Sequence, residues 1–229
     1  MMINFQKNFL FKSVQLALLT SLLIVVASCG KKQEINLSVI EDIPTVQTFK
    51  EDAIPQADIE KIVKAGMNAQ SAMNGQPWHF SVVTNKDLLN GISEKMKEGM
   101  AKMLASKAAS GDGEKKAPPA NMSAKAGMGD SPVAIIVSAK DGSDFDAGLA
   151  TQIMAVESVL LGYGTKIISS PTIVLNGDEK DSYKEQLGIP DGMSVKGVLL
   201  IGKADLSKAD ASSGATPRKD KKETVTFVK

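Results

Sequence analysis

Residues able to do chemistry are few in this chain, and their scarcity narrows its possible functions. There is one cysteine, Cys29, and one histidine, His79. A single thiol excludes an internal disulfide and a multi-thiolate metal site, and one imidazole adds little support for a zinc or haem centre. Asp144 and Asp146 stand two residues apart ahead of an apolar run. That placement suits helix capping better than a catalytic carboxylate pair. Gly162-Tyr163-Gly164 is too short and wrongly placed for a dinucleotide-binding loop. Lys219 to Lys222 (KDKK) reads as a solvated charge run. The 27 basic and 26 acidic residues nearly cancel, which gives no electrostatic reason to expect nucleic acid as a partner. Aromatic residues make up 4% of the chain, so the core must rest on aliphatic side chains and on the 11 methionines.

Cys29 has a more specific setting. Lys7 and Lys12 precede an apolar stretch from Val14 to Ala27 that closes in Val26-Ala27-Ser28-Cys29. A basic region followed by a short hydrophobic one has the form of a signal peptide, and the stretch is shorter than the roughly 20 apolar residues a spanning helix needs. Its end resembles a bacterial lipobox, with the one thiol where a lipid thioether would form. The expectation is a lipoprotein signal peptide over 1–28, lipidation (palmitate included) at Cys29 and a flexible tether over 29–42. The mature domain would then be held to a membrane in the bacterial cell envelope, periplasmic or surface-facing. Residues 43–229 would form one domain, long enough to bury a core.

The elements that must position any site follow from periodicity. Asp58 reads as an N-cap, with Ile59, Ile62, Val63 and Met67 at helical spacing behind it. Ser71 to Pro77 is loop-like, and His79 to Thr84 (HFSVVT) reads as a strand. Leu88, Leu89, Ile92 and Met96 open a second helix running to about Ala109. The stretch 110–129, rich in Gly, Pro, Lys and Ala, reads as a mobile insert or partly ordered lid. Val133 to Ser138 (VAIIVS) is a buried strand by its unbroken apolar run. Asp144 or Asp146 caps a helix to about Leu161, with Leu149, Ile153, Val156 and Leu160 on its apolar stripe. Lys166 to Ser170 is a short extended piece, Val195 to Ile201 a core strand, and Thr224 to Val228 a terminal strand or arm. The interleaving lacks the spacing of βαβ repeats, so the class is α+β (mixed α/β) around one central sheet.

Ala65 to Thr84, AGMNAQSAMNGQPWHFSVVT, resembles the nitroreductase family of FMN-dependent oxidoreductases, in which a helix ends in a Ser/Ala/Asn loop followed by Gln-Pro-Trp and a strand. Thr48 to Pro55, Asp146 to Ser170, Gly197 to Gly202 and Pro217-Arg218-Lys219 agree in order. The resemblance implies a mostly antiparallel sheet flanked by helices, a homodimer, and FMN as cofactor. By the same resemblance, Ser71 and Asn74 would line the ring and ribityl chain, partly across the dimer interface, with Gln76 adding hydrogen bonds. Ser169 and Ser170 match the loop whose backbone donates to flavin N5, and Arg218 with Lys219 would hold the phosphate. No side chain of the family acts as catalytic acid, base or nucleophile. The flavin takes a hydride and passes it to a small-molecule acceptor such as a nitroaromatic or quinone-like compound.

Before the first helix the family carries two or three basic residues at the phosphate and the N1/O2 edge of the ring. Here the segment reads Ile43-Pro44-Thr45-Val46-Gln47. Thr45 can donate to the phosphate, and Gln47 can donate without charge where the last basic residue would stand. The loss of those cations points to an alternative function in the same fold: a flavin- or small-ligand-binding lipoprotein with reduced catalysis.

Overall fold

The computed structural model describes residues 43, 45–109, 128, 130–207, 212–213 and 219–228. The expected signal peptide, Cys29 and the expected tether lie outside these residues, as does the expected 110–129 insert apart from Met128; Asp130, just past its boundary, is described. The elements in order are β1 (Thr45–Val46), α1 (Gln56–Met67), a 3₁₀ turn (Ala72–Asn74), β2 (Trp78–Val83), α2 (Lys86–Ala109), β3 (Val133–Lys140), α3 (Asp144–Leu160), β4 (Gly164–Ile168), α4 (Thr172–Leu175), α5 (Lys180–Leu187), β5 (Met193–Gly202), β6 (Ser212–Ser213) and α6 (Lys221–Thr224).

The strands form one sheet in the order β2-β3-β5-β4-β1-β6. Every pairing is antiparallel except β1 with β4, where Thr45 pairs Thr165. The central strands β3 and β5 carry long apolar runs, Val133–Val137 and Val198–Ile201, because both faces of the sheet are covered there. On one face Ala134, Ile136, Val198 and Leu200 pack with Leu89 and Ile92 of α2, Leu175 of α4 and Leu187 of α5. On the other, Val133, Ile135, Val137, Leu199 and Ile201 pack with Ile59 and Ile62 of α1 and Ala147, Met154 and Ala155 of α3. The period-2 alternation of a strand thus divides one run of sequence between two cores.

Several local expectations are corrected. Asp58 is not an N-cap: α1 starts at Gln56 behind Pro55, and Asp58 lies in its first turn. Its carboxylate accepts from Lys61 Nζ at 2.9 Å and from the Tyr163 hydroxyl at 2.8 Å, which ties α1 to the segment after α3. Neither Asp144 nor Asp146 caps α3; Ser143 holds that position without a side-chain bond. The stripe proposed for α3 is on the wrong side. Its buried face is Ala147, Ala150, Thr151, Met154, Ala155 and Ser158, whereas Ile153 and Leu160 are exposed. Small residues line the buried side because α1 lies close, and a Cβ at Gly66 would stand 2.7 Å from Met154 Cγ and Sδ. The C-terminal segment forms a one-turn helix, α6, followed by an unpaired arm with Phe227 and Val228 exposed. The short helices α4 and α5 and the two-residue strands β1 and β6 carry too few residues for a periodic signal. Met128 is fully buried, and its N–H donates to Ser93 Oγ at 2.8 Å, which fixes the far end of the insert to α2.

Candidate functional site

The loop after α1 is held in a strained form by its own polar groups. Met73, Asn74 and Gln76 all have positive φ, at 51°, 54° and 43°. For non-glycine residues each such conformation costs on the order of 1–2 kcal/mol, and clusters of them occur where a surface must present groups in a fixed geometry. The Gln76 N–H donates to Ser71 Oγ at 3.0 Å, and Gln76 Nε2 donates to Asn74 Oδ1 at 3.2 Å. Ala72 N–H donates to Asp146 Oδ1 at 3.1 Å, pinning the loop to the first turn of α3. Ser71, Asn74 and Gln76 therefore form one hydrogen-bonded cluster. Trp78 stacks on Phe80 at 6.2 Å between ring centroids, and it and His79 are half-buried at the start of β2.

The other grouping lies at the β1–β4 side of the sheet. Thr45 pairs with Thr165 on one side and with Ser213 of β6 on the other. Gln47, two residues on, accepts from Lys166 Nζ at 2.8 Å through its Oε1. Lys166 is half-buried in β4, and burial holds its ammonium below the ordinary lysine value against the opposing pull of the Asp130 charge. The strand runs on into Ser169 and Ser170. Their carbonyls serve the turn into α4: Ser169 accepts from the Thr172 N–H at 3.0 Å and its hydroxyl at 2.7 Å, and Ser170 accepts from the Ile173 N–H at 3.3 Å.

These two groups lie apart along the strands as well as across them: Trp78, which follows the loop, is level with Ala139 and Ser194, whereas Thr45 and Thr165 are level with Ile201 and Val133 at the other end of the sheet. β2 and β4 are separated by β3 and β5, three strand spacings or about 14 Å. Thr45, Gln47, Ser169 and Ser170 are gathered by adjacent strands, whereas Ser71, Asn74 and Gln76 are gathered beyond the opposite flank. Arg218 lies outside the described residues. Lys219 is exposed. Sequence reasoning missed two members: Asp146, read as a cap, and Lys166, hidden in a strand too short for its neighbours to be inferred.

The model of the Nitroreductase family matches residues 44–203. The chain belongs to this family. A stretch of 58 residues is 43% identical to a protein of Archaeoglobus fulgidus that carries the provisional name NADH dehydrogenase/NAD(P)H nitroreductase, and 61 residues are 36% identical to a protein of the same name from Methanothermobacter thermautotrophicus. Each match covers 25% of this chain, and they span 33% and 32% of those relatives, about a third of their length. In three dimensions the fold is that of a nitroreductase from Bacteroides fragilis solved with bound FMN (TM-score 0.64, 24% identity, covering 84% of this chain and 98% of that one). A second FMN-bound nitroreductase, from Desulfitobacterium hafniense, gives a TM-score of 0.66 at 22% identity over 84% of this chain and 97% of that one. The expected family and the mostly antiparallel α+β sheet fold are both borne out.

Proposed function

We propose that this nitroreductase-family chain is an FMN-dependent oxidoreductase that reduces small acceptors such as nitroaromatic or quinone-like compounds. The observation that carries the reading is the polar grouping along β1 and β4: Thr45, the Gln47–Lys166 pair and the Ser169–Ser170 turn. FMN needs donors at its phosphate and ring edge and an apolar slot for the ring. A hydroxyl, a carboxamide, an ammonium and a main-chain turn in succession along the neighbouring strands β1 and β4 meet the first need. Bound flavin would supply the hydride chemistry. The chain's own residues would hold, orient and desolvate it, so no side chain is assigned as acid or base. Support for FMN also comes from the relatives whose structures were solved with it.

The slot for the ring is completed, in this reading, by a second copy. α3 presents Phe145 at 79%, Ile153 at 44% and Leu160 at 41% exposure. Apolar residues aligned on one helix away from its own core favour burial against a partner. A two-fold partner would bring its Ser71–Gln76 cluster toward the β1–β4 edge, which the separation within one subunit prevents. We place the protein in the cell envelope, lipid-anchored at Cys29, on the strength of the lipobox-like sequence.

The test is spectroscopic. The purified chain should show flavin absorbance that survives gel filtration, as a dimer. The colour should bleach with a reductant and recover on adding a nitro compound or quinone. Retained flavin that bleaches but is not reoxidised by either acceptor would favour the ligand-binding alternative. A colourless protein that added FMN does not stabilise thermally would defeat both.

A further inference from the structure

β2 forms one margin of the sheet, and its outer side is open among the described residues. The Lys140 N–H donates to the Pro77 carbonyl at 3.1 Å, in line with the pairing of Trp78 with Ala139 and of His79 with Ser138. Hydrogen-bonded and non-bonded pairs alternate along an antiparallel ladder. His79, Ser81 and Val83 therefore turn their main-chain groups toward β3. Trp78, Phe80 and Val82 turn theirs outward, where no described residue meets them. Sheet margins in soluble proteins are commonly blunted by a charge, a proline or a bulge. From Trp78 to Val83 this strand has no Asp, Glu, Lys, Arg or Pro, and its register with β3 is unbroken. The side chains divide by face. Trp78 stacks on Phe80, which packs against the α1–α3 core, and both are only half-buried. Val82 follows on the same face at 40% exposure, so an apolar strip runs along the open margin. His79 and Ser81 lie on the other face, where the Ser81 hydroxyl donates to the Leu187 carbonyl and keeps its lone pairs free to accept.

We infer that β2 is a self-association surface, which pairs antiparallel with β2 of a second copy about a two-fold axis at Phe80. The strand is complementary to itself in that register. Phe80 meets its own counterpart on the axis, Trp78 stands opposite the second copy's Val82, and His79 stands opposite its Ser81. The first two are aromatic and β-branched neighbours of the kind that stabilise cross-strand pairs, the third can form a hydrogen bond, and no like charges oppose each other. The register also uses every outward N–H and C=O from Trp78 to Val82 in both copies. Moving the axis to His79 leaves those of Val82 without a partner inside the strand, and moving it to Ser81 leaves those of Trp78. Such a contact is isologous and closes on itself. It is separate from the exposed stripe of α3 and independent of the flavin reading: it joins two units, whether these are single chains or dimers formed through α3.

The experiment uses the full chain in reducing buffer, so that Cys29, its one thiol, forms no cross-link. Light scattering over a concentration series measures mass, and hydrogen exchange follows the β2 amides one by one. Wild type should gain mass with concentration toward twice that of Val82→Pro. A proline is tolerated at an open edge where the N–H it removes points outward. It nevertheless takes one bond from each copy, which should weaken association by about tenfold or more. Val82→Thr keeps the N–H and the branched side chain and should associate like wild type. Exchange at Trp78, Phe80 and Val82 should slow as mass rises, while His79, Ser81 and Val83 stay protected throughout. Thermal unfolding at low concentration checks that Val82→Pro is folded; if it is not, Val82→Lys replaces it. Equal masses for wild type and the variant at every concentration would overturn the inference. So would slow exchange of the outward amides in the unassociated protein, because another segment of the chain would then cover the edge. Fast exchange of those amides in an associated wild type would overturn it too, since the contact would lie elsewhere.

Discussion

Gly164 opens β4 directly against Val46 of β1, and replacing it with alanine should unseat the strand that carries Thr45 and Gln47. A Cβ at Gly164 would overlap Val46 Cγ2 and stand 3.2 Å from Val46 Cβ. Carbon atoms prefer separations of about 3.5–4.0 Å, so relief requires a shift of roughly 1 Å or more. Val46 is 3% exposed and belongs to the core, so its side chain has little room to turn. β1 is two residues long and is the element most able to give way. Overpacking of this kind costs about 1–3 kcal/mol, which for a domain of this size lowers the melting temperature by about 2–12 °C. Because the displacement moves β1 away from β4, flavin affinity should fall by at least about tenfold, the equivalent of one lost hydrogen bond at the site. The assay is a double-mutant cycle of Gly164→Ala and Val46→Ala, read by thermal unfolding and FMN titration. Val46→Ala removes the obstructing methyl, so the double variant should be more stable than the sum of the single effects by about 1 kcal/mol or more. Strict additivity, or a Gly164→Ala protein as stable as wild type, would refute the reasoning. Gly66→Ala is the contrasting case: there the added Cβ meets Cγ and Sδ of Met154, a buried but unbranched side chain, and the gain in helix propensity of about 1 kcal/mol should offset part of the crowding.

Three further outcomes are expected. Asp146→Ala frees Ala72 N–H from its one described acceptor; the bond is exposed, so stability should change by about 1 kcal/mol or less, while FMN titration should show weakened binding as the 71–76 loop loosens. Ser93→Ala removes the acceptor of the buried Met128 N–H and the donor to Leu89 O; unfolding stability should drop by about 1–3 kcal/mol, and limited proteolysis should cut faster within 110–129. Burial, and then the bond to Asp58, hold the Tyr163 phenol above its ordinary value, so its contribution is complete below the unfolded tyrosine value of about 10 and is lost as pH rises through the higher folded value. Tyr163→Phe should therefore be less stable than wild type near neutrality, with the difference shrinking above about pH 10 in chemical denaturation.

The sequence was informative where a signal repeats or a residue type is unusual. The runs of β3 and β5, the long helix α2 and the SAMNGQPW loop were legible because apolar continuity, helical period and loop composition are local properties. The family followed from that loop and the order of the weaker stretches around it. The face of α3 was not legible. Its bulky aliphatic residues, Ile153 and Leu160, looked like the core stripe, yet the close approach of α1 through Gly66 reserves the buried side for small residues and Met154. Which stripe of a helix lies inside depends on the distance to its neighbour, and no local pattern contains that distance. Asp58 and Asp146 were misread for a related reason. An acidic residue at a helix start is a good cap by itself, but each of these carboxylates binds a group far along the chain, the Tyr163 hydroxyl and the Ala72 N–H. The sequence alone determined the composition of the core strands, the polar loop and the absence of paired thiols. Only the tertiary structure decided that Gln47 meets Lys166, because their contact is made by a parallel pairing between segments more than a hundred residues apart, and pairing of distant strands is set by the packing of the whole sheet.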